Sequence, residues 1–248
     1  MTFAHMLNAA SSAISMALKH PLNNGLLNGT LPRNNFRFLI EQDYLYLPDF
    51  SKTLMRVSNK LHNIQHANIL KKLSENALET QRNMYMKYLK EPPPLRLFQT
   101  TKFPLKKIPA TVHYTNHLVI TADTASAEEG VATHIACYFL YLLIGKELFH
   151  TLNLENPYHS WMLSYSSERL KSSTEAIIQI ADELGHSISC PLMKKKIADA
   201  FVKSIECEIL LWDSVCKKNG YLASVFRHES VEIVDIGKKL LISGVRVS

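Results

Sequence analysis

Apolar residues recur at three- and four-residue spacing along most of the chain, which is the period of an amphipathic helix and not the alternation of a half-buried strand. In the opening MTFAHMLNAASSAISMALKH the stripe is Phe3, Met6, Leu7, Ala10, Ile14 and Leu18, so an N-terminal helix is expected. HPLNNGLLNGTLPRNN, from His20 to Asn35, breaks the period and predicts a loop or short turn. Long helices are expected at about 36–63 and 66–89, the second carrying Ile69, Leu70, Leu73, Ala77 and Met84. EPPPL ends the second, because successive prolines cannot continue a helix. Residues 91–111 hold five prolines and the basic PLKKIP, and read as an irregular surface insertion. Further helices are expected at about 114–123, 127–150, 158–164, 167–184 and 191–218. After Asn219, SVEIVDIGKKLLISGVRVS fits a final helix, a strand or an extended arm equally well. No βαβ alternation, internal repeat or low-complexity tract interrupts the pattern. The expected class is all-α: one helical domain over 1–218 with short connections favouring antiparallel neighbours, and a C-terminal extension over 219–248.

Composition agrees with this picture. A chain of 248 residues, 46% hydrophobic and with only 8 glycines, can bury one sizeable core. The net charge of +6 and pI near 9.0 raise the question of nucleic acid. The lysines fall in short groups (Lys71-Lys72, Lys106-Lys107, Lys194 to Lys196, Lys217-Lys218) without interleaved aromatics, so solvated helix faces are expected and no nucleic-acid partner. Cys137, Cys190, Cys207 and Cys216 form no CxxC pair or finger spacing and read as reduced thiols of a cytoplasmic protein. The N-terminal segment has no basic residue ahead of its apolar part, so no signal peptide is expected. IACYFLYLLIG is too short to span a bilayer, so no membrane partner is expected either.

Several polar residues sit on otherwise apolar helix faces. In EQDYLYL, Asp43 shares a face with Tyr46 and Phe50. A carboxylate there costs free energy unless a neighbouring hydroxyl, a backbone group or a ligand satisfies it. Cys137 shares its face with Tyr141 and with His134, which admits either a packed thiol or a Cys-His nucleophile. In FVKSIECEILLWD, Glu206 and Glu208 lie about 160° apart around a helix, so one is expected to face solvent. Glu208 aligns with Ser204 and Trp212, and an apolar neighbour would raise its pKa toward that of a usable general acid; a structural salt bridge is the alternative. HYTNH places His113 and His117 at chelating spacing but lacks the HExxH glutamate, so no metal is expected and Tyr114 is the better pocket residue. His20 could serve as an axial haem ligand, although His-Pro before a turn has an adequate local explanation.

Five separated motifs, in one order over about residues 10–218, resemble the TenA family, also called thiaminase II or aminopyrimidine aminohydrolase. They are HPLNNGLLNGTLPRNNFRFLIEQDYLYLPDF, YTNHL, CYFLY, NPYHSWMLSYSS and ECEILLWD. The resemblance implies a haem-oxygenase-like helical bundle, a homotetramer, and hydrolysis without cofactor. The expected product is a hydroxymethylpyrimidine, released from an aminomethylpyrimidine with ammonia or from thiamine with the thiazole. It implies Cys137 as the active-site thiol, Glu208 as the acid/base and Asp43 on the aminopyrimidine edge, with Tyr46, Phe50, Tyr114, Tyr141 and Tyr165 around the substrate. Phe139, Cys207, Leu211 and Asn83 depart from the family's usual residues. The alternatives are a pyrimidine-binding or regulatory protein without turnover, and a haem-oxygenase-like oxidase.

Overall fold

The structure is a computed structural model that describes residues 1–90, 105–148 and 153–218. Most of the proline-rich stretch and the tail after residue 218 lie outside the described residues, so the expectations for them stand as such. The chain runs α1 (Phe3–Ala9), α2 (Ser11–Leu18), α3 (Pro21–Leu27), α4 (Arg33–Ser58), α5 (Ile64–Met84), α6 (Pro109–Thr124), α7 (Ala127–Leu148), α8 (His159–Met162), α9 (Glu168–Gly185) and α10 (Pro191–Lys217). A π-helical turn over Tyr85–Leu89 extends α5, and a 3₁₀ turn over Leu163–Ser166 follows α8. Among the described residues the fold is all-α.

α7 lies at the centre, packed by α4, α6, α9 and α10. By length and composition this helix could cross a membrane, yet 67% of its most apolar window is buried within the fold, as a core helix requires. α4 and α5 form an antiparallel pair on one side. The N-terminal stripe docks on the other: Phe3 stacks edge-on against Phe139 of α7 at 5.1 Å and Phe201 of α10 at 5.8 Å.

Three departures from the sequence pattern have local physical causes. The expected N-terminal helix breaks at Ala10, which lies outside helical geometry at φ −91°, ψ 3°. The expected loop 20–35 contains α3. His20 caps it by accepting from the Leu22 N–H, Pro21 occupies the first turn, and Gly29 ends the connection at φ +67°, a conformation that favours glycine. The end of α3 and the connection after it receive donors from far along the chain: Asn156 Nδ2 donates to the carbonyls of Leu26 and Leu27, each at 2.9 Å, and the Tyr158 hydroxyl donates to that of Leu31 beyond the helix. NGTL and NPY are therefore two halves of one structural joint. Finally, Pro109 starts α6 inside the stretch read as irregular, where a proline in the first turn loses no helical hydrogen bond.

α4 is continuous through Pro48, which has no N–H to offer the Tyr44 carbonyl one turn earlier. Gln81 of α5 supplies the donor instead, its Nε2 lying 2.9 Å from Tyr44 O. Gln81→Ala is expected to cost about 1 kcal/mol, the net worth of one such bond. The reading is the midpoint of denaturant unfolding, and an unchanged midpoint would mean that water replaces the amide at no cost.

Candidate active site

α4 supplies one wall of a cavity of about 300 Å³ enclosed by α4, α5, α6, α7, α9, α10 and the 3₁₀ turn. Within EQDYLYL the residues divide their tasks. Buried Gln42 holds the start of α6, accepting from the Ile108 N–H at 3.1 Å and the Thr111 hydroxyl at 2.7 Å while donating to Lys106 O at 3.1 Å. That places Tyr114, one turn into α6, against Tyr46 with ring centroids 4.8 Å apart. Asp43, Tyr46 and Phe50 line the cavity from the same helix face. Asp43 is only 9% exposed, and burial, reinforced by the nearby Glu208 carboxylate, raises its pKa well above the usual range. Among the described residues no donor satisfies its carboxyl.

Opposite Asp43 stand Cys137 and Tyr141 of α7 and Glu208 of α10. Glu208 is 2% exposed; burial pushes its pKa up to about 7, against the pull of hydrogen bonds from Tyr114, Cys137 and Tyr141. The Tyr114 hydroxyl donates to Oε1 at 3.3 Å and the Tyr141 hydroxyl to Oε2 at 3.4 Å. A carboxyl whose pKa burial lifts to about 7, against hydrogen bonds from Tyr114, Cys137 and Tyr141, can exchange a proton in either direction at physiological pH. Cys137 is half-buried and its pKa is raised well above that of a free thiol, first by desolvation and then by the Glu208 and Asp43 carboxylates. Its sulfur therefore rests as a thiol, hydrogen-bonded to Glu208.

The pattern describing the TENA/THI-4/PQQC family matches residues 7–218. The chain belongs to that family. Among its relatives, the aminopyrimidine aminohydrolase of Halalkalibacterium halodurans is 26% identical over 216 residues, 86% of this chain and 95% of the relative. The protein of the same name from Bacillus subtilis is 23% identical over 208 residues, 84% and 86% of the two chains. Among solved structures, a TenA homologue from P. horikoshii aligns with a TM-score of 0.72 at 21% identity, over 85% of this chain and 95% of that one, a likeness of fold.

In this TENA/THI-4/PQQC member, Asp43, Tyr46, Phe50, Tyr114, Cys137, Tyr141, Tyr165 and Glu208 all line one cavity. Tyr165 is steadied by the Trp161 indole N–H at 3.0 Å and by Tyr141, edge-on at 4.8 Å. Glycine at 145 permits this: a Cβ there would come within 2.5 Å of the Tyr165 carbonyl oxygen. Other expectations resolve differently. His134 is not a partner of Cys137, since its Nδ1 faces the Gly130 carbonyl at 2.7 Å and its Nε2 the Thr53 hydroxyl at 2.9 Å, and burial lowers its pKa to about 4. His113 is exposed while His117 turns inward to Ser204 at 3.0 Å. His20 has both ring nitrogens engaged, one by the Leu22 N–H and the other by Asp213 at 3.3 Å. Trp212, one turn after Glu208 on α10, packs against Tyr141 and His20 behind the cavity wall. Glu206 faces out, 3.6 Å from Lys203. Sequence reasoning missed Tyr138, Trp161, Met84 and the outer residues Asn76, Thr80, Ser164 and Arg169. Tyr138 in CYFLY and Trp161 and Ser164 in NPYHSWMLSYSS lay within motifs that could have found them; Met84, Asn76, Thr80 and Arg169 did not.

Proposed function

We propose that the protein is an aminopyrimidine aminohydrolase that hydrolyses the bond between a pyrimidine methylene and a departing nitrogen. The observation that carries this reading is the buried Asp43 carboxyl, which faces the cavity without a donor from the described residues, opposite the Cys137 and Glu208 pair. A carboxyl with a raised pKa can give its proton to a ring nitrogen while its other oxygen accepts from the adjacent exocyclic amine, and a 4-aminopyrimidine presents that pair along one edge. The tyrosine walls suit a flat ring. The names of the relatives point the same way.

The chemistry then uses one mobile proton. Cys137 passes its proton to Glu208 as sulfur bonds to the ring carbon next to the one bearing the methylene, and the displaced electron pair moves to the ring nitrogen held by Asp43. The electrons return to expel the amine, which leaves with the proton from Glu208. Water adds to the exposed methylene, giving its proton to the Glu208 carboxylate. The sulfur–carbon bond breaks as the electron pair on the ring nitrogen restores the aromatic ring, and the departing Cys137 thiolate takes its proton back from Glu208. Hydroxymethylpyrimidine and ammonia are the products; if thiamine enters, its cationic thiazolium departs as neutral thiazole without taking a proton, and Glu208 releases its proton to solvent before the water adds. The homotetramer implied by the resemblance belongs to the same proposal, and sedimentation equilibrium tests it.

Asp43→Asn is the sharpest test of the ring pairing. An amide can neither donate a proton to the ring nor carry charge, so the dissociation constant for hydroxymethylpyrimidine is expected to rise roughly ten- to a hundredfold, the worth of a hydrogen bond to a charged group. Calorimetry on the folded variant measures it. Unchanged affinity would return Asp43 to a structural role.

A further inference from the structure

The cavity of about 300 Å³ changes character from its buried residues to its solvent-exposed ones. Asp43, Tyr46, Tyr114 and Glu208 at the floor are buried, and Cys137 and Tyr138 are half-buried. Beyond them Thr80, Ser164 and Arg169 line the cavity while open to solvent. A ring held at Asp43 with its methylene near Cys137 therefore points its leaving group toward hydroxyls and a guanidinium. Tyr138 bridges the two zones, within electrostatic reach of both Cys137 and Arg169.

Arg169 is tethered but not consumed. Its Nη2 makes both bonds across the mouth, to Glu79 Oε2 at 2.7 Å and to Asn76 O at 3.4 Å, both on α5. A guanidinium carries five N–H donors, arranged to grip two oxygens of a phosphate at once. The Arg169–Glu79 pair is about half exposed on each side, and such pairs contribute little, so a doubly charged competitor can displace Glu79. Arg82 adds a second positive charge beside Glu79, whereas Lys72 is paired with Glu75 and Lys171 with Glu168. Glu79 thus answers to two arginines, of which Arg169 lines the cavity.

We propose that the outer half of the cavity is a subsite for an anionic tail on the departing part of the substrate, read by Arg169, so that a leaving group ending in a phosphate monoester is favoured over one ending in a hydroxyl. This rests on the hydrolase reading above and extends it to the identity of the leaving group. The test is kcat/KM for three substrates: aminomethylpyrimidine, thiamine and thiamine monophosphate. The wild-type protein is expected to favour the phosphate ester over thiamine by about tenfold or more, chiefly through KM, with the advantage shrinking as salt screens the mouth. Arg169→Gln is expected to bring the two within about twofold of each other. Glu79→Gln, which releases the guanidinium, is expected to widen the gap. Equal kcat/KM for the two in the wild type, or a preference that survives Arg169→Gln, overturns the subsite. If aminomethylpyrimidine is turned over while that happens, the hydrolase reading stands without it; inactivity on all three overturns both.

Discussion

Cys137→Ser is expected to lower turnover of an aminomethylpyrimidine by three orders of magnitude or more, on the order expected for removing the nucleophile from a covalent mechanism. The surroundings of Cys137 explain why serine cannot stand in. Desolvation and the Glu208 and Asp43 carboxyls already hold the thiol well above its free pKa, so in the proposed mechanism the thiolate forms by handing its proton to Glu208. A hydroxyl starts with a far higher pKa and would need the same transfer at much greater cost. Ring binding depends on Asp43 and the tyrosine walls instead, so affinity for hydroxymethylpyrimidine should stay close to wild type. Product formation followed by chromatography, together with calorimetry, reads the two quantities separately. Cys190→Ser is the control, because Cys190 is exposed at the start of α10 and away from the cavity. Near-normal turnover in Cys137→Ser would reduce that thiol to packing.

Glu208→Gln is expected to cost about two to four orders of magnitude in turnover, the range for losing a general acid or base, while Glu206→Gln stays near wild type. Both lie in one turn of α10, yet Glu208 faces Tyr114, Tyr141 and Cys137, and Glu206 faces Lys203 in solvent. The pH profile gives a second, independent reading. Glu208 must begin as a carboxylate to receive the Cys137 proton, and its pKa is raised to about 7. Activity should therefore be lost as pH falls below about 7 and gained as it rises through that value. That limb should be missing from the residual activity of Glu208→Gln and intact in Glu206→Gln. A large loss in Glu206→Gln beside an active Glu208→Gln would assign the wrong face of α10 to the chemistry.

What the sequence determined by itself is whatever depends on near neighbours. The all-α class follows from a 3.6-residue period that each helix carries internally, and the same period places Asp43, Tyr46 and Phe50 on one face and Glu206 and Glu208 on different ones. The tertiary structure decided the rest. Residues 20–35 looked like a loop because Asn, Gly and Pro are locally poor helix formers; α3 stands there because Asn156 and Tyr158 supply distant donors to its end and to the connection that follows. The helix through Pro48 was legible from its period, but not the Gln81 side chain of α5 that serves the Tyr44 carbonyl Pro48 leaves without a donor. His134 lies at a spacing from Cys137 that invites catalysis, but Gly130 and Thr53 occupy its nitrogens. The outer residues Thr80, Ser164 and Arg169 belong to different elements and share no period, so nothing local marks them as one surface. The proposed proton-transfer pair is of the same kind. Carboxylate, thiol and tyrosine hydroxyls from α4, α6, α7 and α10 shift one another's pKa only once packing has removed the water between them, and desolvation is a property of the assembled core that no segment of the chain possesses alone.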